Sequence, residues 1–189
     1  MRNDNITRLT LAAMFAAMAF ICFSYLRLEI PMGGGMTGKI YIGHAFIILS
    51  ALIVGGKYGA LTGAVGLSLA DILAGYTTSA PPTFLAKFLL GYAVYFIAYK
   101  ICRMDASAPK TSALLAASIG GCLVNVVTEP LIRFSFKYFI LGVPHQVAYL
   151  SALNCCVSMA VSAVPSVILA VVLYKALKQS VFKDYNFAG

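Results

Sequence analysis

The sequence contains no tryptophan, and only 11% of its 189 residues are charged, where a soluble domain carries roughly 25%. Aspartate and glutamate together number six, and hydrophobic residues make up 61%. Those values exclude a water-soluble globular domain, a disordered chain and a secreted disulfide scaffold. The cysteines are five, an odd number without metal-type spacing. Cys22, Cys102, Cys122, Cys155 and Cys156 all lie in or beside apolar runs, where small buried thiols belong. No H-E-x-x-H or paired-cysteine motif occurs, so no metal site is expected.

What the sequence does have is long apolar runs. A spanning helix takes about 20 apolar residues, so a chain of this length holds about six with their connections. We read an all-α integral membrane protein, one domain over residues 1–189, with six transmembrane helices. These cover approximately 9–26, 40–55, 58–75, 82–101, 111–139 and 147–176, with a polar tail over 178–189. The first run follows Arg2 and Arg8 as a signal peptide would. It is long for one and meets Arg27 and Glu29 without a small-residue cleavage site, so it reads as a retained helix. Pro31 to Lys39, with Gly33, Gly34, Gly35 and Gly38, is too glycine-rich for a helix and reads as a mobile lid loop.

Six spans place both termini on one side. With cytoplasmic termini, nine Lys and Arg fall inside and five outside, as the positive-inside rule favours. The net charge of +8 would suggest nucleic acid as a partner in a soluble protein. Here the bases sit at helix ends and orient the chain in the bilayer, so no nucleic acid is expected.

Charges inside a membrane are costly and mark sites. Asp71 and Lys87 flank the 76–82 turn at equal spacing, which puts them at one depth, roughly 8 Å below the surface by helical rise. Glu129 and Arg133 are four residues apart and share a helix face, with Asn125 one turn below and Asn154 on the sixth helix. His44 and His145 fall near the same end, and Tyr41 and Tyr76 border its mouth. Each of these groups belongs to the outer half of the bundle, whereas stretches such as 164–173 are nearly apolar. A channel or proton relay needs polar groups along its length. The pattern describes a cup open to the outside with an apolar floor, around which Pro130 kinks the fifth helix. Asp71–Lys87 and Glu129–Arg133 also make sense as ion pairs that only tie helices together.

Two motif fragments lack their context. Gly33 to Lys39 spells G-x-x-x-x-G-K, but Ile40 stands where a P-loop has Ser or Thr, and a helix precedes it instead of a strand. Gly66 to Ala70 stops one residue short of G-x-S-x-G. No catalytic residue is assigned, and the chain is not expected to be an enzyme. Small residues recur every four positions at Gly55, Gly59 and Gly63, and at Ala12/Ala16 and Ala13/Ala17. Such spacing lets backbones approach closely. The glycines suit packing within the bundle, and the alanines suit a partner surface.

The blocks Gly43 to Leu49, Gly55 to Ala60, Ser68 to Gly75 and Pro82 to Lys87 together resemble an S component, the substrate-binding membrane subunit of energy-coupling factor (ECF) vitamin transporters. The similarity is to the riboflavin-type branch, which includes hydroxymethylpyrimidine and pyridoxine carriers. It implies a vitamin bound near the outer face, under the first loop. It also implies a bacterial plasma-membrane location, a transmembrane coupling protein docked on Ala12, Ala13, Ala16 and Ala17, and two cytoplasmic ATPases that bind ATP and magnesium. The chain itself then carries no cofactor and delivers its vitamin by toppling. Substrate-binding candidates are Asp71, Lys87, Asn125, Glu129, Arg133, Asn154, Tyr41, His44 and Tyr76. Without tryptophan, stacking falls to Tyr and Phe, and charges of both signs suit a small polar heteroaromatic compound. Hydroxymethylpyrimidine or a pyridoxine-like compound comes first and riboflavin second, with folate, pantothenate and cobalamin open. A stand-alone secondary transporter is the other reading, although it would show paired discontinuous helices in two halves.

Overall fold

The computed structural model describes residues 4–32, 36–105 and 109–180. Helix α1 (Asp4–Tyr25) leads into an antiparallel hairpin of β1 (Arg27–Met32) and β2 (Met36–Tyr41). Helices α2 (His44–Ile53), α3 (Gly56–Leu73), α4 (Ala80–Tyr95), α5 (Thr111–Ser135) and α6 (His145–Ser180) follow. A 3₁₀ turn at Thr77–Ser79 precedes α4, and π-helical turns extend α4 over Phe96–Ile101 and α5 over Phe136–Ile140. Helix α5 is continuous through Pro130.

The hairpin corrects the expected irregular loop. Its register sets Arg27 opposite Tyr41 and Glu29 opposite Lys39, an opposite-charge pair across the strands. Glycines 33 to 35, which argued for a loop, lie between the strands and outside the described residues, as do Arg2 and residues 181–189. Two short runs separated by glycines are the pattern of a hairpin. Because 36–41 form a strand, α2 starts at His44 and not at residue 40.

All ten residues of α2 are buried, and it packs against α1, α3, α4 and α6. Its sequence is apolar all round, the pattern of a helix with neighbours on every side. At 1.5 Å per residue it is about 15 Å long, half of a roughly 30 Å hydrocarbon core. Four helical segments among the described residues are long and apolar enough to cross a membrane: Asn5–Tyr25, Thr77–Ile101, Thr111–Ile140 and His145–Lys178. The fold is thus a helical membrane bundle with a short central helix, rather than six equal rods.

Large apolar side chains cover the outside as well as the core. Leu61, Val65, Leu69 and Ile72 face outward from α3, and Leu115, Ile119, Leu123 and Val127 do so from α5. The inward face of α3 is small. A Cβ at Gly59 would stand 2.5 Å from Ala51 Cα, at Gly63 2.7 Å from the Ile47 side chain, and at Gly66 2.6 Å from Ala16 O. Gly91 of α4 would meet Ala60 Cα at 2.7 Å. Backbones approach where side chains are absent, as in lipid-embedded bundles. Gly55 has φ 79°, a backbone region glycine enters without strain, and turns α2 into α3. The five cysteines are all free thiols.

The alanines of α1 divide between two faces. Ala12 is buried and its carbonyl accepts a hydrogen bond from Thr62 Oγ1 at 3.3 Å, while the Ala16 backbone lies against Gly66. Ala12 is thus taken up by packing within the bundle, and Ala13 and Ala17 are the exposed pair of the four.

Gly59→Leu forces a side chain into the Ala51 backbone and is expected to lower stability by about 1–3 kcal/mol or more. Val65→Leu, on the outward face of the same helix, is expected to stay within about 0.5 kcal/mol. Thermal unfolding in detergent compares the two; equal midpoints would contradict the packing described.

Candidate substrate-binding cavity

At the hairpin end of the bundle lies a cavity of about 330 Å³. This is near the small end of the roughly 300–1,000 Å³ common for small-molecule sites. Its walls come from every surrounding element. Phe23 of α1, Lys39 and Tyr41 of β2, and Tyr76 and Ser79 at the α3–α4 connection form one side. Asp71 of α3 and Thr83 of α4 stand next to them, and Glu129, Arg133 and Lys137 descend from α5. Helix α6 completes the lining with Ser151, Asn154, Cys155, Ser158 and Met159.

Of the residues expected at the site, Tyr41, Asp71, Tyr76, Glu129, Arg133 and Asn154 reach the cavity. Lys87, His44 and Asn125 stand behind its wall as a buried polar core. Lys87, with no exposure, is ion-paired with Glu129 and donates to His44 Nε2 at 2.8 Å. Asn125 Nδ2 donates to Glu129 Oε2 at 3.3 Å. An ammonium has no acceptor, so His44 Nε2 accepts and the ring proton sits on Nδ1, which has no partner among the described residues. His145 lies elsewhere, edge-on to Phe134 and Tyr138 and stacked with Tyr149.

The expected Asp71–Lys87 pair is not formed. Asp71 Oδ2 accepts from Thr83 Oγ1 at 2.6 Å instead. The reason is register. Helix α4 begins at Ala80, so the connection centres near residue 77; Asp71 faces Thr83, and Lys87 lies one turn deeper. The other expected pair does form, with Arg133 Nη2 at 3.1 Å from Glu129 Oε1. Glu129 thereby receives two cations. Arg133 Nη2 also lies 3.5 Å from Thr83 Oγ1, which connects it to Asp71.

Lys39, expected only as the end of a lid, is a wall residue. Its ammonium lies 3.3 Å from the centroid of the Tyr76 ring and 5.3 Å from that of Phe23. Burial lowers its pKa to about 8. Gly38 beside it is buried. Tyr41 anchors β2 to the bundle: its N–H donates to Ser162 Oγ at 3.3 Å, and its ring is stacked on His44 and edge-on to Phe23. Lys137 Nζ donates to Ser151 Oγ at 2.7 Å, closing α5 against α6. Arg133 Nε and Asn154 Nδ2 have no hydrogen-bond partner among the described residues.

Sequence reasoning missed Phe23, Ser79, Thr83, Lys137, Ser151, Cys155, Ser158 and Met159 as wall residues. Thr83, four before Lys87, and Lys137, four after Arg133, were within reach of helical periodicity. Phe23 and Met159 carry no signal that separates them from ordinary core.

No curated protein matches this sequence. The fold is similar to that of a solved S-component for biotin from an ECF-type ABC transporter, at 18% identity and a TM-score of 0.65, covering 98% of each chain. At that identity the likeness is one of fold. A model of the family "ECF-type riboflavin transporter, S component" matches residues 3–179. With nearly its whole length matched, the chain belongs to the ECF-type riboflavin transporter S component family.

Proposed function

We propose that this chain captures a small heteroaromatic vitamin or vitamin precursor in the cavity under the hairpin and delivers it to the cytoplasm as part of an ECF-type importer. The reading rests on one observation above others: a cavity of about 330 Å³ with aromatic walls and charges of both signs, at one end of a membrane bundle. In this reading the hairpin end faces outward, all six helices lie within the bilayer of a bacterial plasma membrane, and both termini are cytoplasmic. A hydroxymethylpyrimidine- or pyridoxine-like compound is the first substrate candidate, for which the modest cavity volume speaks. Riboflavin is the second, for which the family match speaks; folate, pantothenate and cobalamin follow.

Aromatic faces of Phe23, Tyr41 and Tyr76 cover the ligand ring, and Asp71, Arg133 and Asn154 meet its polar edge. Lys87, His44 and Asn125 hold Glu129 and Arg133 in place from behind. Truncating Lys87 therefore acts through the fold. Energy for transport comes from a coupling protein and two ATPases carrying ATP and magnesium, and toppling in the membrane releases the vitamin. The docking surface is narrower than four alanines: Ala13 and Ala17 are the exposed pair.

Asn154→Trp fills the cavity and is expected to weaken vitamin binding by about a hundredfold or more, a loss of roughly 2.7 kcal/mol. Retained thermal stability shows that the fold survives; unchanged affinity would remove the cavity from consideration as the site. Ala17→Trp is expected to keep vitamin affinity and abolish uptake in cells, because a large side chain holds the partner helix away. Should the purified chain alone accumulate vitamin against a gradient in liposomes, the secondary-transporter reading replaces this one.

A further inference from the structure

Two carboxylates, Asp71 and Glu129, border the cavity, and they are occupied differently. Glu129 uses both oxygens inside the protein, Oε2 on Lys87 and Asn125 and Oε1 on Arg133. Asp71 uses one. Its Oδ2 accepts from Thr83 Oγ1 at 2.6 Å, and its Oδ1 accepts from no described residue. Nor is Oδ1 sealed in the protein, as the partnerless His44 Nδ1, Arg133 Nε and Asn154 Nδ2 are. Asp71 lines the cavity and keeps 5% of its surface exposed, so this oxygen opens there.

The direction of the neighbouring hydrogen bonds fixes what that oxygen does. A guanidinium only donates, so Arg133 Nη2, 3.5 Å from Thr83 Oγ1, donates to it. The Thr83 proton is thereby committed to Asp71, which is held as an acceptor. Lys39, the other cation near Asp71, is drawn toward Glu29 as well and keeps its ammonium over the Tyr76 ring. It forms no ion pair with Asp71 among the described residues. A nearly buried carboxylate oxygen without a donor is costly. What completes it is an N–H or O–H brought from outside the chain.

We infer that Asp71 selects the ligand: its open oxygen accepts a hydrogen bond from an N–H or O–H on the edge of a neutral heteroaromatic ring, and Thr83 is the positioning residue that aims it. This deepens the reading of the cavity as a vitamin site and rests on it. The substrate candidates carry such a donor, riboflavin in its ring imide, hydroxymethylpyrimidine in its amino group and pyridoxine in its ring hydroxyl. Replacing that hydrogen with methyl leaves the carboxylate unpaired, and sites built around a hydrogen bond reject analogues that lack it.

Matched pairs test the donor without altering the protein. Riboflavin with 3-methylriboflavin, pyridoxine with its 3-O-methyl ether, and hydroxymethylpyrimidine with its 4-dimethylamino derivative are titrated against the purified chain in nanodiscs. Where a parent compound binds, it is expected to bind about tenfold tighter or more than its methylated partner, the scale of a hydrogen bond to a charged group. Asp71→Asn separates the acceptor from the size of the methyl group. Thr83 still donates and holds the amide oxygen, which turns the NH₂ toward the cavity, so the parent's advantage is expected to shrink about tenfold. Thr83→Val is expected to narrow the same advantage, and Thr83→Ser to restore it. Equal binding within every pair, or an Asp71→Asn loss shared equally by both members, overturns the inference and leaves the vitamin reading standing. Binding of none of these compounds overturns both.

Discussion

The carboxylate of Glu129 is the junction on which the hairpin end of this bundle depends. It draws Lys87 from α4, Asn125 from one turn back on α5 and Arg133 from one turn ahead. Lys87 carries the connection to His44 at the start of α2, and His44 stacks on Tyr41 at the end of β2. One buried anion thus ties two long helices, the short central helix and the hairpin into a single arrangement. In a low-dielectric interior no member can leave without stranding a charge, which is why such a junction is rigid even when its net contribution to stability is small.

Rigidity below contrasts with openness above. The cavity sits directly over this junction, and Glu129 and Arg133 belong to both. Glu129 and Arg133 hold each other, and Lys87 and Asn125 hold Glu129, so this part of the cavity wall is fixed in place. A preorganised wall of this kind spends little ordering entropy on binding. The aromatic side, built from Phe23, Tyr41 and Tyr76, comes from α1, β2 and the α3–α4 connection.

Small residues set how closely these walls stand. Gly59, Gly63 and Gly66 bring α3 against α2 and α1, and Gly91 brings α4 against α3. Where α3 meets its neighbours the contact is made by glycine, alanine and hydrogen-bonded polar groups such as Ser50 and Thr62, 2.7 Å apart, while its large side chains Leu61, Val65, Leu69 and Ile72 go outward. The same chemistry on α1 is shared between two tasks: Ala12 and Ala16 pack inward, and Ala13 and Ala17 remain on the surface.

Composition and periodicity by themselves determined a helical membrane protein, the order of its helices and the gathering of its polar groups at one end, because lipid penalises charges wherever they are not functional or paired. The Glu129–Arg133 pair was legible too, since four residues of helix place both on one face. The partners of Asp71 and Lys87 were not. A two-residue difference in where α4 begins moves Thr83 into the place expected of Lys87, and boundaries at that resolution are not encoded in hydrophobic pattern. The hairpin and the short α2 were likewise hidden. A glycine-rich segment reads as a loop until its flanks find each other, and an apolar run reads as a span until neighbours surround it. Which cation meets which carboxylate is a property of the assembled bundle, because most of those pairings are struck between helices that the sequence keeps far apart.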